Sequence, residues 1–150
     1  MTIRFTVPGN PFGWQRAGQN HNTGAIYTQK NTEITENAIA WEYRRKYRSQ
    51  MFPPKTALNL FVIAYMPIPK SAPWKIRAQM ITGAIRPIVK PDWDNIGKLV
   101  SDALNKVAYD DDKCIVDSRV VKVYSENPRT EIIIKEAKLF IAPPGDTGEI

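Results

Sequence analysis

The sequence predicts an α+β fold: a single domain in which a mixed β-sheet is packed by helices. Three observations lead there. The chain has 150 residues, a usual length for one domain, and a chain of that size buries about two-thirds of the surface its unfolded form exposes. Runs rich in branched and aromatic residues occur near the start, in the middle and toward the end, whereas the stretch after Pro91 carries an apolar stripe at helical spacing. Strands interleaved with helices make a sheet with helices laid on it.

The elements follow in order. "IRFTV" alternates as a first strand and stops at the turn cluster "PGNP". Residues 8–30 read as a long loop carrying Trp14, Arg16, Tyr27 and Lys30, and a loop of that length is usually functional. A helix is expected from Thr32, which can cap it, with Ile34, Ala38, Trp41 and Tyr47 on one side. Arg44, Arg45, Lys46 and Arg48 close it where positive charge suits the helix dipole. "LNLFVIAYM" (58–66) is a buried strand, a short helix covers 74–81, and an irregular linker runs to Pro91.

The next helix is the clearest element. Ile96, Leu99, Val100, Ala103, Leu104 and Val107 form its apolar stripe, and Asp94, Lys98 and Asp102 share the opposite face. "CIVDSRVVKVYSE" and "EIIIKE", joined by "NPRT", are expected to form a hairpin over 114–136. The end, 142–150, reads as a frayed tail.

Composition narrows the function. Hydrophobic residues at 43% and charged residues at 24% fit a globular chain and exclude a disordered one. The longest apolar stretch, "ALNLFVIAYM", is about half the length needed to cross a bilayer, and no signal-peptide block opens the chain. No membrane association and a cytoplasmic location are therefore expected. One cysteine, Cys114, excludes an intrachain disulfide, and with His21 as the one histidine a Cys/His zinc site is not expected. Residues 1–91 hold 13 Lys and Arg against 3 acids, and residues 92–150 hold 8 against 12. The basic part attracts phosphate, and phosphodiester cleavage by bound cations would give the acidic part a reason to concentrate carboxylates.

"KPDWDNIGK" poses the sharper question. Asp92 and Asp94 could cap the helix, worth about 0.5 to 2 kcal/mol, or bind a hard divalent cation such as magnesium, which takes one or two carboxylates and keeps several waters. "YDDDK" adds Asp110, Asp111 and Asp112, either a solvated turn or more ligands. Fifteen helical residues span about 22 Å, so sharing a metal requires that loop to return toward the start of the helix, or a neighbouring chain to supply one cluster. Lys98 could serve only as an i,i+4 partner of Asp94 or Asp102. Three adjacent aspartates repel one another unless cations neutralise them, which favours a metal.

"DWDNIGKLVSDALNKVAYDDDKCIVDSRVVK" resembles the signature region of the RusA-like Holliday junction resolvases: D-x-D-N, a lysine four residues later, D-A-L, then a D-D pair before a strand. "FTVPGNPFGWQR" and "AIYTQKNT" are similar to the family's opening strand, basic loop and tyrosine-containing segment. The resemblance implies a homodimeric endonuclease that nicks two opposed strands of four-way junction DNA with magnesium, manganese being able to substitute. It puts Asp92, Asp94 and Asp112 on the catalytic acids, Lys98 on the functional lysine and Asp111 on the first aspartate of the pair. The metal set is then Asp92, Asp94, Asp111 and Asp112. Cys114 stands where many relatives have glutamine, and "WQRA" lacks a second arginine, departures that bear on junction affinity and not on the carboxylates.

Candidate DNA contacts are Arg16, Lys30, Arg44, Arg45, Lys46 and Arg48 for phosphates, and Trp14 and Tyr27 for stacking on bases exposed at a junction centre. Burial in the core, or plain solvation, is the competing role of each. Two rivals to an endonuclease are a junction- or DNA-binding protein without catalysis, its aspartates structural, and a nucleotide-sugar transferase using D-x-D.

Overall fold

A computed structural model describes residues 1–144. Its main sheet has four strands: β1 (Thr2–Pro8), β4 (Leu58–Pro67), β5 (Ile115–Ser125) and β6 (Arg129–Glu136). Between β1 and β4 lie the two-residue strands β2 (Gly18–Gln19) and β3 (Ile26–Tyr27), paired inside the long loop, and helix α1 (Lys30–Tyr47). Helices α2 (Trp74–Thr82) and α3 (Trp93–Leu104) lie between β4 and β5, and a short 3-10 turn, Asp112–Cys114, leads into β5. The fold is α+β and forms a single domain.

The strand order is β1-β6-β4-β5, with β4 parallel to β5 and β6 antiparallel to both β1 and β4. The expected hairpin over 114–136 is therefore not formed, because β4 lies between β5 and β6. A helix-bearing crossover brings the strand that follows it back parallel beside the strand that precedes it. The segment from α2 through α3 imposes that arrangement on β5, and β6 then takes the other edge of β4. A turn signal such as "NPRT" sets a reversal of direction but not the neighbour.

One face of the sheet is covered. Ile3, Phe5 and Val7, the alternate residues Leu58 to Met66 of β4, and Ile132 and Ile134 pack against Ile39 and Tyr43 of α1 and Ile96, Leu99, Val100, Ala103 and Leu104 of α3. The other face keeps Phe61, Ile63 and Tyr65 half-buried, with the Arg119 and Arg129 guanidinium groups lying over the Phe61 and Tyr65 rings.

Two expectations for α1 need correction. The helix starts at Lys30 after Gln29, so Thr32 does not cap it. Thr32 is buried in the first turn, where its hydroxyl accepts the backbone N–H of Gln15. The buried side is Thr32, Ile39, Ala40, Glu42 and Tyr43, while Ile34 and Trp41 face solvent. Apolar residues lie all around this helix, and the neighbours select among them: Tyr43 meets Phe5 edge to face and bonds the Gln50 carbonyl, and exposed Trp41 stacks under Arg45. Likewise α3 ends at Leu104, so Val107 is in the turn beyond it, still half-buried against the core.

The two sheet edges differ. On β1, the Arg4 N–H donates to the Tyr47 hydroxyl, and the Arg4 carbonyl accepts from Tyr47 and from the Lys46 ammonium. On β5, residues 116–119 are exposed in succession. No helix of the described residues is long and apolar enough to cross a membrane. Residues 142–144 of the expected tail are exposed coil, and 145–150 lie outside the described residues.

Candidate active site

Helix α3 stands on β5 through Gly97, where an added Cβ would come 3.2 Å from a Val120 methyl. A glycine inside a helix points to such a close approach. It brings the polar face of α3 beside the strand. After Leu104 the chain turns back, held by the buried Tyr109 hydroxyl donating to the Ser101 carbonyl at 2.8 Å. That return sets Asp112 next to the helix. Asp94, Lys98 and Ser101 of α3 thus line one open cleft of about 290 Å³ with Asp112, Ile115 and Ser118.

The three adjacent aspartates have different surroundings. Asp110 pairs with Lys106 at 2.5 Å. Asp111 caps the 3-10 turn by accepting the Lys113 N–H at 2.9 Å, and that bond, helped by the Lys113 and Lys106 charges, holds its carboxyl below the usual range. It lines a separate cavity with Cys114, Pro53 and Lys55. Asp112 faces the cleft. Repulsion within the run is thus eased by two lysines, and Asp112 makes no ion pair among the described residues.

Asp92 occupies the N-cap position of α3, yet its side chain makes no capping bond. It follows the cis Lys90–Pro91 bond and lines two shallow recesses beside the cleft, one with Trp14 and Asn95, the other with Trp93, Asp94 and Lys122. Asp94 accepts the Asn95 N–H at 2.9 Å. Among the described residues, no three Asp, Glu, His or Cys side chains stand close enough to hold a metal ion together.

Lys98 is held from two sides. Its Nζ lies 3.2 Å from Asp102 Oδ2 and 5.0 Å from the centre of the Trp14 ring. The Trp14 loop is pinned there because the Trp14 N–H donates to the Asn95 carbonyl at 2.8 Å and because Gly13 presses on the helix start, where a Cβ would meet that of Pro91 at 2.8 Å. Glu36 of α1 was not expected here. Its carboxyl is raised by burial and then by the Asp102 and Glu33 charges, with Lys98 opposing. A lone glutamate on a mixed helix gives no sequence signal of that.

Arg16, Lys30 and Tyr27 are exposed around the N-terminal end of α1, on the side of the Trp14 loop, and the Tyr27 ring covers Gly18. Arg44, Arg45, Lys46 and Arg48 lie at the other end of α1, whose 18 residues span about 27 Å. Arg45 is bound to Glu42 and Lys46 to the Arg4 carbonyl.

A model of the family described as Endodeoxyribonuclease RusA matches residues 8–135. The chain belongs to the RusA endodeoxyribonuclease family. The match extends from the end of β1 into β6 and takes in the whole cleft. The chain is also similar to "Uncharacterized protein YqaN" of Bacillus subtilis (strain 168), 34% identical over 139 residues, which cover 89% of this chain and 96% of the relative. As a RusA-family chain it is a nuclease by kinship, and its cleft combines carboxylates with a cation as phosphodiester cleavage requires.

Proposed function

We propose that this chain is a magnesium-dependent, structure-specific endonuclease that resolves four-way DNA junctions by paired symmetric nicks, working as a homodimer in the cytoplasm. One observation carries the reading: Asp94, Lys98 and Asp112, from two turns of a helix and the start of a strand, line a single open cleft. A structural role for all three gives no reason for that convergence, which is what disfavours a junction-binding protein without catalysis.

The donor set suits magnesium, since two hard carboxylates in an open cleft leave room for the waters that ion retains. Asp94 and Asp112 would hold it, with Asp92 beside them and Asp111 at the margin. When bound, the ion supplies an acidified water and neutralises charge on the phosphoryl oxygens. The chain's own part is positional. Lys98 presents a fixed cation to a phosphodiester in the cleft, either against the charge that builds on its oxygens or to orient the attacking water. Asp102 and Trp14 restrict where that ammonium sits. Arg16 and Lys30 serve as phosphate contacts near the cleft, with Tyr27 and Trp14 as aromatic surfaces, while Arg44, Arg45, Lys46 and Arg48 lie far enough away to meet a junction arm.

The test is a synthetic four-way junction and a linear duplex of matched sequence, each incubated with protein and magnesium. Paired nicks in the junction alone, abolished by chelation and restored by magnesium, are expected. Binding without cleavage under all conditions would leave the non-catalytic alternative.

A further inference from the structure

From the open edge of β5, the geometry points to the surface on which two copies of this chain join: antiparallel β5 pairing about a two-fold axis beside Ser118. This rests on the paired-nick reading, which requires two equal sites.

The edge is accessible over a defined window. Residues 116–119 are exposed in succession, whereas from Lys122 onward the edge is covered, the Arg86 guanidinium donating to the Lys122 carbonyl and the Lys122 ammonium bonding the Val89 carbonyl. A carbonyl held by Arg86 faces away from β4. In an extended strand the N–H and C=O of one residue point the same way and alternate along the chain, so those of Ser118 and Val120 also face outward. Ser118 opposite its own copy would exchange both hydrogen bonds.

The sequence of that window is complementary to itself. In "IVDSRVV", centred on Ser118, Asp117 falls opposite Arg119 of the second copy, Val116 opposite Val120 and Ile115 opposite Val121. Opposite charges facing across an antiparallel pair are favourable, and the two-fold makes each contact twice. Neither Asp117 nor Arg119 makes an ion pair among the described residues. The irregularity where β5 gains a residue against Leu58 and Asn59 of β4 lies at Val116 and keeps the ladder short.

Apolar side chains extend the contact. Val116 is 63% exposed, and beside the covered part of β5 lie Ile88, Val89 and Trp93, at 96%, 52% and 65%. The register lays Val116 of one copy toward that group on the other. A monomer rarely leaves such a set uncovered around an open strand edge. Because Ser118 also lines the cleft, and residues opposite each other across an antiparallel pair project from the same face, both clefts would open on one face of a continuous sheet, either side of the axis.

Charge reversal tests this by sedimentation, with folding followed by circular dichroism and without reference to cleavage. Asp117→Arg and Arg119→Asp should each raise the dimer dissociation constant by about tenfold or more, by facing like charges. Mixed together, the two variants should form a heterodimer, since each Arg then meets an Asp. The double variant Asp117→Arg/Arg119→Asp should dimerise like the parent, which keeps the test decisive should either single variant fold poorly. Parent-like dimerisation of both single variants, or failure of both the mixture and the double variant while the parent dimerises, would overturn the β5 interface and leave the nuclease reading intact. A parent that stays monomeric with and without junction DNA would overturn the interface together with the paired-nick reading.

Discussion

The ammonium of Lys98 sits 5.0 Å from the centre of the Trp14 ring while it pairs with Asp102 at 3.2 Å. A residue from the long N-terminal loop and a residue one turn down its own helix thus fix the same cation. That arrangement sets apart two roles for Lys98. If it is a surface partner alone, Lys98→Ala should cost well under about 1 kcal/mol of stability and leave cleavage intact. If it acts on the phosphodiester, turnover should fall by roughly a hundredfold with unchanged melting. We expect the second, read from single-turnover cleavage of a four-way junction beside a thermal melt.

Asp112→Asn separates metal binding from turn formation. Asparagine supports turns about as well as aspartate and eases repulsion with Asp110 and Asp111, so the fold should survive. Removing a negative charge near DNA phosphates should leave junction binding without metal at least as tight as in the parent. Cleavage in magnesium should collapse. Gel-shift and cleavage assays on one preparation check it, and activity within a few-fold of the parent would remove Asp112 from the ligand set.

Glu36 gives a pH-dependent signature. Its folded-state pKa is raised above the model value of 4.5 by burial and by Asp102 and Glu33. Between the unfolded and folded pKa the native state holds more proton than the unfolded one, so stability falls as pH rises through that window. Glu36→Gln removes the penalty. Its melting temperature should exceed the parent's at pH 7, and the gain should disappear well below pH 4.5. An equal shift at both pH values would assign the effect to something other than ionisation.

Gly13→Ala probes the loop that carries Trp14. The new Cβ would meet that of Pro91 at 2.8 Å and Asn95 Cβ at 3.2 Å, so the loop must lift, at about 1–3 kcal/mol by analogy with overpacking. Trp14 should leave Lys98, seen as a change in tryptophan emission that also appears in Trp14→Phe controls as lost signal. Unaltered melting and emission would show that the loop has room the packing denies it.

Much of the fold was legible because its signals are local. The stripe from Ile96 to Leu104 marked α3, and the branched run at 58–66 marked β4. What failed was neighbourhood: a turn at 127–130 says nothing about which strand lies alongside, and α1, apolar on several sides, chose its buried face through Phe5 and Tyr43. The gathering of Asp94, Lys98 and Asp112 was half-visible. Helical spacing put Asp94, Lys98 and Asp102 on one face, but the return of Asp112 depends on Tyr109 reaching Ser101, which no spacing rule reveals.

The backbone of Arg4 is saturated by Tyr47 and Lys46, and this sets a limit on growth. A sheet with two free margins can add neighbours without end and become a filament. Here one margin is sealed by the chain's own side chains, so strand addition can happen once. Whatever joins at β5 terminates the series, and the largest assembly reachable by that route is a pair.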